Sequence, residues 1–404
     1  MTKWKSNTLS SIASITMGSS PKSAAYNDDG IGLPLIQGNA DIKNRLTKPR
    51  SFTSEITKEC KSGDIIMTVR APVGAIAKST LKGCLGRGVC AISATKISQE
   101  YLYQYLISQE SSWKKIEQGS TFSAVGSKDI KQLFVTYPEK IEEQQKIAEV
   151  LSTIDKKIDL IDQKIAETEK LKTGLMQKLF SEGVGVQDSD GNWQPHDEFQ
   201  DSPFGKIPAM WNLNKLSTYC SIIAGVSPSK LNLNESEGYP FFKVEEFNYS
   251  KKLLTKSRNY VSNQASCHTG EFLLLPKRGA AIFLNKLRLA KGTFQIDTNV
   301  MGISFDEEVA NLDFMLYRLL FERLESIADI STIPQINNKH INPYTIPLPP
   351  LGEQQQIAQI ISSVFEKIDL LEQQKTETQQ LKKGLMQKLL TGEWRVPLDN
   401  PEAA

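Results

Sequence analysis

Residues 143–179 read EQQKIAEVLSTIDKKIDLIDQKIAETEKLKTGLMQKL, and residues 353–389 read EQQQIAQIISSVFEKIDLLEQQKTETQQLKKGLMQKL. Aligned without a gap at an offset of 210, 21 of the 37 positions are identical, a density that marks an internal duplication. In the first copy Ile147, Leu151, Ile154, Ile158, Ile161 and Ile165 step by four and three, the seam of a coiled coil. The seam falters at Thr168 and resumes one residue early at Leu171, Leu175 and Leu179, which reads as a local break in the heptad. The second copy follows with Ile357, Ile361, Val364, Ile368, Leu371, Leu381, Leu385 and Leu389, with Lys375 and Thr378 in its weak middle. Each copy as a helix spans about 55 Å, and so narrow an apolar stripe needs a partner to cover it. Two duplicated halves packed about a pseudo-two-fold axis supply one, and that axis makes the helix pair antiparallel.

Working outward, the chain divides into 1–140, a first globular unit; 141–182, a first spacer helix; 183–206, a linker rich in Gly, Asp, Ser and Pro; 207–350, a second globular unit; 351–392, a second spacer helix; and a tail, 393–404. In the first unit, Trp4 to Met17 reads as an opening strand. Gly18-Ser-Ser-Pro21 is a turn, Leu33–Ile36 and Gly63–Val69 are buried strands, and Glu100–Glu117 has helical spacing. A loop over Gly119–Ser127 and a short strand over Leu133–Tyr137 complete it. The second unit repeats this plan faintly. Trp4, Leu9, Gly18, Ser20 and Pro21 match Trp211, Leu216, Gly225, Ser227 and Pro228 at an offset of 207, as Gly63-Asp64 matches Gly270-Glu271. Ser120-Thr121 and Lys128 match Ser331-Thr332 and Lys339 at 211. The predicted class is α+β, with two mixed α/β units that have diverged where the helices agree.

The 404 residues carry 39% hydrophobic and 23% charged residues, ordinary for a soluble multidomain protein. A polar start, Met1–Ser10, and no apolar run near twenty residues point to the cytoplasm and away from a membrane. Cys60, Cys84, Cys90, Cys220 and Cys267, with His196, His268 and His340, lack metal-site spacing, so we expect buried free thiols and no metal. No phosphate-cradling GxxxxGK[ST] loop occurs. Asn342-Pro343-Tyr344 lacks one proline of the NPPY loop of adenine methyltransferases and has no nucleotide-binding βαβ unit around it, so it reads as a turn. We expect no catalytic residue.

Binding features are richer. Residues 1–140 hold 19 Lys and Arg against 11 Asp and Glu, a net +8 that suits an anionic partner. Lys43, Arg45, Lys48 and Arg50 lie in an acid-free stretch, while Arg70 and Arg87 sit at Pro and Gly turns. In the second unit Lys277, Arg278, Lys286, Arg288 and Lys291 fall in an acid-free run. Lys and Arg neutralise phosphates, Arg reads guanine, and amides such as Gln37, Asn39, Asn285, Asn337 and Asn338 can address adenine. The repeated loops add Ser20, Lys22, Thr121, Lys128, Ser227, Lys230 and Lys339 as candidate DNA contacts.

With its paired EQQ(K/Q)IA…KIDL…LK.GLMQKL helices, its Gly18-Ser-Ser-Pro21 and Gly225-Val-Ser-Pro228 loops and its Phe204–Trp211 segment, the chain resembles the specificity (S) subunit of type I restriction–modification systems along essentially its whole length. That resemblance implies two target recognition domains, each binding half of a split, asymmetric duplex DNA target. It also implies an antiparallel helical spacer docking two methyltransferase (M) and two restriction (R) subunits, with no catalysis in this chain. S-adenosylmethionine would belong to M, and ATP and magnesium mainly to R. Ile147, Leu151, Ile158, Leu160, Ile161 and Leu175, with Ile357, Ile361, Ile368, Leu370, Leu371 and Leu385, are the candidate subunit-interface residues. Half-sites one DNA turn apart, roughly 34–36 Å, are within reach of such a helix pair. The rival reading is a scaffold whose globular units bind proteins instead of DNA.

Overall fold

The computed structural model describes residues 3–113, 125–330 and 333–398. Contacts divide the chain into two compact units, Met1–Gln163 with Glu372–Ala404, and Lys164–Leu371. Both cuts fall inside the long helices Ile141–Ser181 and Leu351–Leu389, so each unit joins one globular domain to half of each helix.

The two domains share a strand plan. In the first, Trp4–Thr8 pairs antiparallel with Phe134–Pro138; in the second, Asn212–Lys215 pairs antiparallel with Thr345–Leu348. Each main sheet then lays a strand from the start of the domain against a later one. Ala13–Met17 runs against Val89–Ala94, with Ala13 opposite Ala94 and Met17 opposite Cys90. Cys220–Ala224 runs against Val300–Phe305, with Cys220 opposite Phe305 and Ala224 opposite Met301. The opening segment Trp4–Met17 is thus two strands separated by a helical turn, Leu9–Ile12. Glycine at 18 and 225 is obligatory for close packing: a Cβ would lie 2.0 Å from the Gly86 carbonyl oxygen and 1.9 Å from that of Asp297. One helix backs each sheet, Gln99–Ser108 and Leu312–Glu322, capped by the side chains of Ser98 and Asn311. Residues 114–117 of the expected first helix, most of the loop after it and the Ser331-Thr332 pair lie outside the described residues.

The duplicated EQQ motif explains itself at the helix starts. Glu143, Gln144, Glu353 and Gln354 are all buried. Gln144 Oε1 accepts from the Ser98 amide while its Nε2 donates to the Pro138 carbonyl, both at 2.8 Å. Gln354 does the same with the Asn311 amide and the Pro349 carbonyl, also at 2.8 Å. Each glutamine therefore pins its long helix to the capped helix of its own domain. Arg395 grips Glu143 through both carboxylate oxygens, at 2.5 and 2.7 Å. Glu353 accepts from the Val184 and Gly185 amides, from His196 Nε2 and from Trp211 Nε1. The 183–206 segment is therefore not a plain linker. It forms two small hairpins, pairing Val186 with Gln194 and Phe199 with Pro208, and its core-facing end wraps Glu353.

Within the first unit the helices run antiparallel. Asp155 pairs with Lys382 at 2.6 Å, and Asp162 with Lys375 at 2.5 Å, so seven residues forward on one helix is seven back on the other. The second unit keeps the same register: Lys172 lies 4.9 Å over the Phe365 ring. Burial corrects the expected heptad break. The inward positions continue through Thr168, Lys172, Leu175 and Leu179, and through Thr378, Lys382, Leu385 and Leu389, in unbroken steps of three and four. Leu171 and Leu381 point outward instead, 55% and 56% exposed. The seam's polar centre is satisfied locally, since the Thr168 and Thr378 hydroxyls each donate to the carbonyl four residues back at 2.6 Å.

Removing one partner of a shielded ion pair leaves the other charge uncompensated, whereas replacing both with apolar groups does not. Asp155→Ala should therefore destabilise the chain by about 1–3 kcal/mol. Asp155→Leu combined with Lys382→Met should recover only part of that loss, because buried Gln104 also donates to the Asp155 carboxylate at 3.0 Å. Breaking the more exposed Asp162–Lys375 pair should cost under about 1 kcal/mol. Chemical denaturation of the three variants checks the ranking.

Candidate nucleic-acid interface

The loops at one end of the first domain's sheet carry the expected polar residues. Ser19 donates its amide to the Leu85 carbonyl at 2.9 Å, and Gly86 donates to the Ile36 carbonyl at 2.8 Å. These bonds draw three loops together. A fourth arrives when Val69 donates to the Gly88 carbonyl at 2.8 Å, leaving Arg70 two residues beyond the end of the strand Ile65–Thr68. Between them opens a hollow of about 540 Å³ lined by Ser20, Gln37, Asn39, Arg70 and Arg87, with Tyr26 at its side. The first five are candidate DNA contacts from separate parts of the sequence, and Pro21, Ser23, Gly38, Ala71 and Gly88 complete the lining. Arg70 and Arg87 are exposed, and neither side chain has a hydrogen-bond or ion-pair partner among the described residues. The loops themselves are rigidly tied: Asp41, buried, accepts from the Gln37 amide at 2.8 Å, and Ser20 Oγ accepts from the Arg87 amide at 3.2 Å.

The second domain has the same corner. Val226 donates to the Ile296 carbonyl at 2.9 Å, and Lys277 to the Asn299 carbonyl at 2.8 Å, so Arg278 emerges where Arg70 does. This revises the sequence match, which set Gly63-Asp64 against Gly270-Glu271. The ladders place Ile65 opposite Ile92 and Leu273 opposite Ile303, one residue further on. Both strands are continuously buried, over 65–69 and 272–276, so a one-residue slip in the match was invisible in composition but reverses which side chain leaves the sheet. Arg278 is exposed like Arg70, and its side chain likewise has no partner among the described residues.

Other candidates have structural work. Arg45 forms a bidentate pair with Glu110, at 2.7 and 3.1 Å, and also donates to the Ile76 carbonyl. Burial works against its charge, but bonding to Glu110 raises its pKa overall. Arg288 is turned into its own domain and donates to the Phe247 carbonyl at 2.9 Å and to the Ser250 and Leu287 carbonyls, with burial pulling its pKa down. Asn285, at φ 50°, bonds the Leu320 carbonyl and the Leu324 amide. Acid-free sequence marked Arg45 and Arg288 as available, but their acceptors are backbone carbonyls or a distant glutamate, which local composition does not reveal. Lys22, Lys43, Lys128, Lys230, Asn338 and Lys339 are exposed, while Ser227 and Lys277 are half-buried. Thr121 lies outside the described residues.

Of the interface candidates, Ile147, Leu151, Ile161, Ile357, Ile361, Ile368 and Leu371 are buried within the chain itself. Ile158, Leu175 and Leu385 are half-buried. Leu160 and Leu370, equivalent residues of the two repeats, face outward at 57% and 48% exposed. All five cysteines are free, three buried and two half-buried. Among the described residues no group of three or more His, Cys, Asp or Glu side chains is placed to hold a metal. Asn342 and Tyr344 fall on a turn after the helix Asn338–Ile341. No helix among the described residues is long and apolar enough to cross a membrane.

Known proteins agree with this architecture. The chain is 26% identical over 424 residues to the type I restriction enzyme MjaIX specificity subunit of Methanocaldococcus jannaschii, covering 97% of this chain and 94% of that one. Over 175 residues it is 32% identical to the MjaX specificity subunit of the same organism, 43% of this chain and 41% of that protein. The crystal structure of the type I restriction–modification S subunit from M. genitalium superposes with a TM-score of 0.60 over 98% of this chain and 97% of that one, at 15% identity, and so shares the fold. Residues 1–170 and 208–380 both match the type I restriction modification DNA specificity domain, and the chain therefore belongs to that family.

Proposed function

We propose that this chain is the DNA sequence-recognition subunit of a type I restriction–modification complex. Each globular domain reads one half of a bipartite, asymmetric duplex target. The observation that carries this reading is the repeated corner with an exposed arginine whose side chain has no partner among the described residues, Arg70 in one domain and Arg278 in the other. A guanidinium held on a stiff strand end can bridge phosphate oxygens or read a guanine edge. The paired helices hold the two domains and offer docking surface to two M and two R subunits. S-adenosylmethionine then acts in M, and ATP with magnesium in R, while this chain supplies recognition and no chemical step.

The test is duplex retention by the chain with its M partner as salt is raised. A recognition subunit should show a steep fall in affinity with salt, and a protein scaffold a flat response. Arg70→Ala and Arg278→Ala should each weaken binding. A lost phosphate contact lowers the salt slope by about one, whereas a lost base contact costs about 1–3 kcal/mol at one position. Unchanged binding in both variants would remove this corner from the DNA interface.

The outward leucines give a second test. Leu160 and Leu171 on the first helix repeat as Leu370 and Leu381 on the second, all about half exposed on an otherwise polar surface. Burying a leucine contributes about 1.5–3 kcal/mol. Leu160→Ser with Leu370→Ser should therefore weaken capture of M at least tenfold while leaving helicity and DNA-free stability unchanged. Size-exclusion chromatography of the mixed subunits reads this. An undiminished complex would put the M dock elsewhere.

A further inference from the structure

The hydrogen-bonded frame that equates Arg70 with Arg278 extends through the whole corner. Gly86 donates to the Ile36 carbonyl in the first domain, and Asp297 to the Phe242 carbonyl in the second. Leu85 pairs with Ile36 as Ile296 pairs with Phe242, in parallel ladders. Gln37 donates its amide to buried Asp41, and Lys243 donates its amide to buried Glu246, both at 2.8 Å. Val89 returns a bond to the Gly86 carbonyl, and Val300 to that of Asp297. In this register Arg87 corresponds to Thr298 and Gln37 to Lys243. Arg87, Thr298 and Gln37 are exposed, and Lys243 is half-buried, 5.8 Å over the Phe241 ring.

Two identical side chains at equivalent points of one frame cannot make two half-sites differ. The difference has to come from points where the frames carry different chemistry. Resting on the DNA-recognition reading above, we infer that Arg70 and Arg278 make the same sequence-blind backbone contact in both halves. The pairs Gln37 with Arg87, and Lys243 with Thr298, then set the bases that distinguish one half from the other. The backbone under these side chains is fixed, so the side chain is the variable: a Cβ on Gly88 would stand 2.2 Å from the Gln37 carbonyl oxygen, which locks the two first-domain loops together. The chemistries differ in kind. Arg binds guanine through two bonds, and Gln binds adenine through two. Lys also addresses guanine but as a compact point charge, and Thr offers a hydroxyl and a methyl.

The test uses the full chain co-expressed with its M partner, with methylated sites mapped across the host genome. Arg87→Thr should relax discrimination at one position of one half-site by about tenfold to a hundredfold and leave the other half untouched. Thr298→Arg and Lys243→Gln should change the opposite half only. Arg70→Ala and Arg278→Ala should slow methylation of every site without altering the motif. Arg87→Lys keeps the charge and loses the two-bond geometry, so it should relax the same position and serves if Arg87→Thr fails to assemble. The inference is overturned if the three exchanges leave the motif unchanged while Arg70→Ala still slows methylation, or if any exchange alters both halves. No sequence motif from the wild-type complex would overturn the recognition reading itself.

Discussion

Four buried side chains, Glu143 and Gln144 at the start of one long helix and Glu353 and Gln354 at the start of the other, hold this fold together. Burying a carboxylate or amide costs several kcal/mol unless its hydrogen-bonding capacity is met. Here it is met by groups from separate parts of the same unit: Arg395 from the tail, Trp211 and His196 from the segment between the repeats, and the caps of Gln99–Ser108 and Leu312–Glu322. None of these bonds forms until the helix, the domain and the following segment have assembled. The motif thus couples helix to domain in each half.

Along the helices, polarity specifies register where apolar contact alone would not. A seam of aliphatic side chains tolerates sliding by a heptad, because each step presents a similar surface. Lys382 against Asp155, with Gln104 donating to the same carboxylate at 3.0 Å, does not. A heptad slip one way sets Lys382 opposite Ala148, and the other way sets Asp155 opposite Leu389, so one charge of the shielded pair loses its place in either case. In the second repeat Asp155 is replaced by Phe365, and the lysine at the matching place, Lys172, rests on that ring instead. The geometry is preserved while the interaction changes from an ion pair to a cation–π contact.

At the domain corners the buried frame is separated residue by residue from the side chains we propose as readers. Gly18 and Gly225 are fixed by close approach, and Asp41 and Glu246 by the amides they accept. The side chains beyond them differ between the domains: Gln37, Arg87 and Thr298 are exposed, and Lys243 lies half-buried over the Phe241 ring. On the proposed reading, one scaffold serves two targets, since an exchange at an exposed position leaves the supporting bonds in place.

The sequence by itself determined the duplication, the two long helices, their antiparallel pairing and the family, because a repeated heptad pattern and a repeated motif are properties of order along the chain. It also marked Ser20, Gln37, Asn39, Arg70 and Arg87, which the fold brings to one hollow. Tertiary structure alone decided which basic residues are available. Arg45 and Arg288 look as free as Arg70 in sequence, but their partners, Glu110 and the carbonyls of Phe247 and Ser250, are brought to them by the fold. It decided that Leu171 faces outward while Lys172 takes the seam, since a long lysine stem can lie along apolar surface and place its ammonium over Phe365. It also decided that Arg70 corresponds to Arg278, and that Lys243 and Thr298 belong to the same corner. Strand register is set by hydrogen bonds between distant segments, and similarity along one chain fixes it only to within the residue or two that insertions shift.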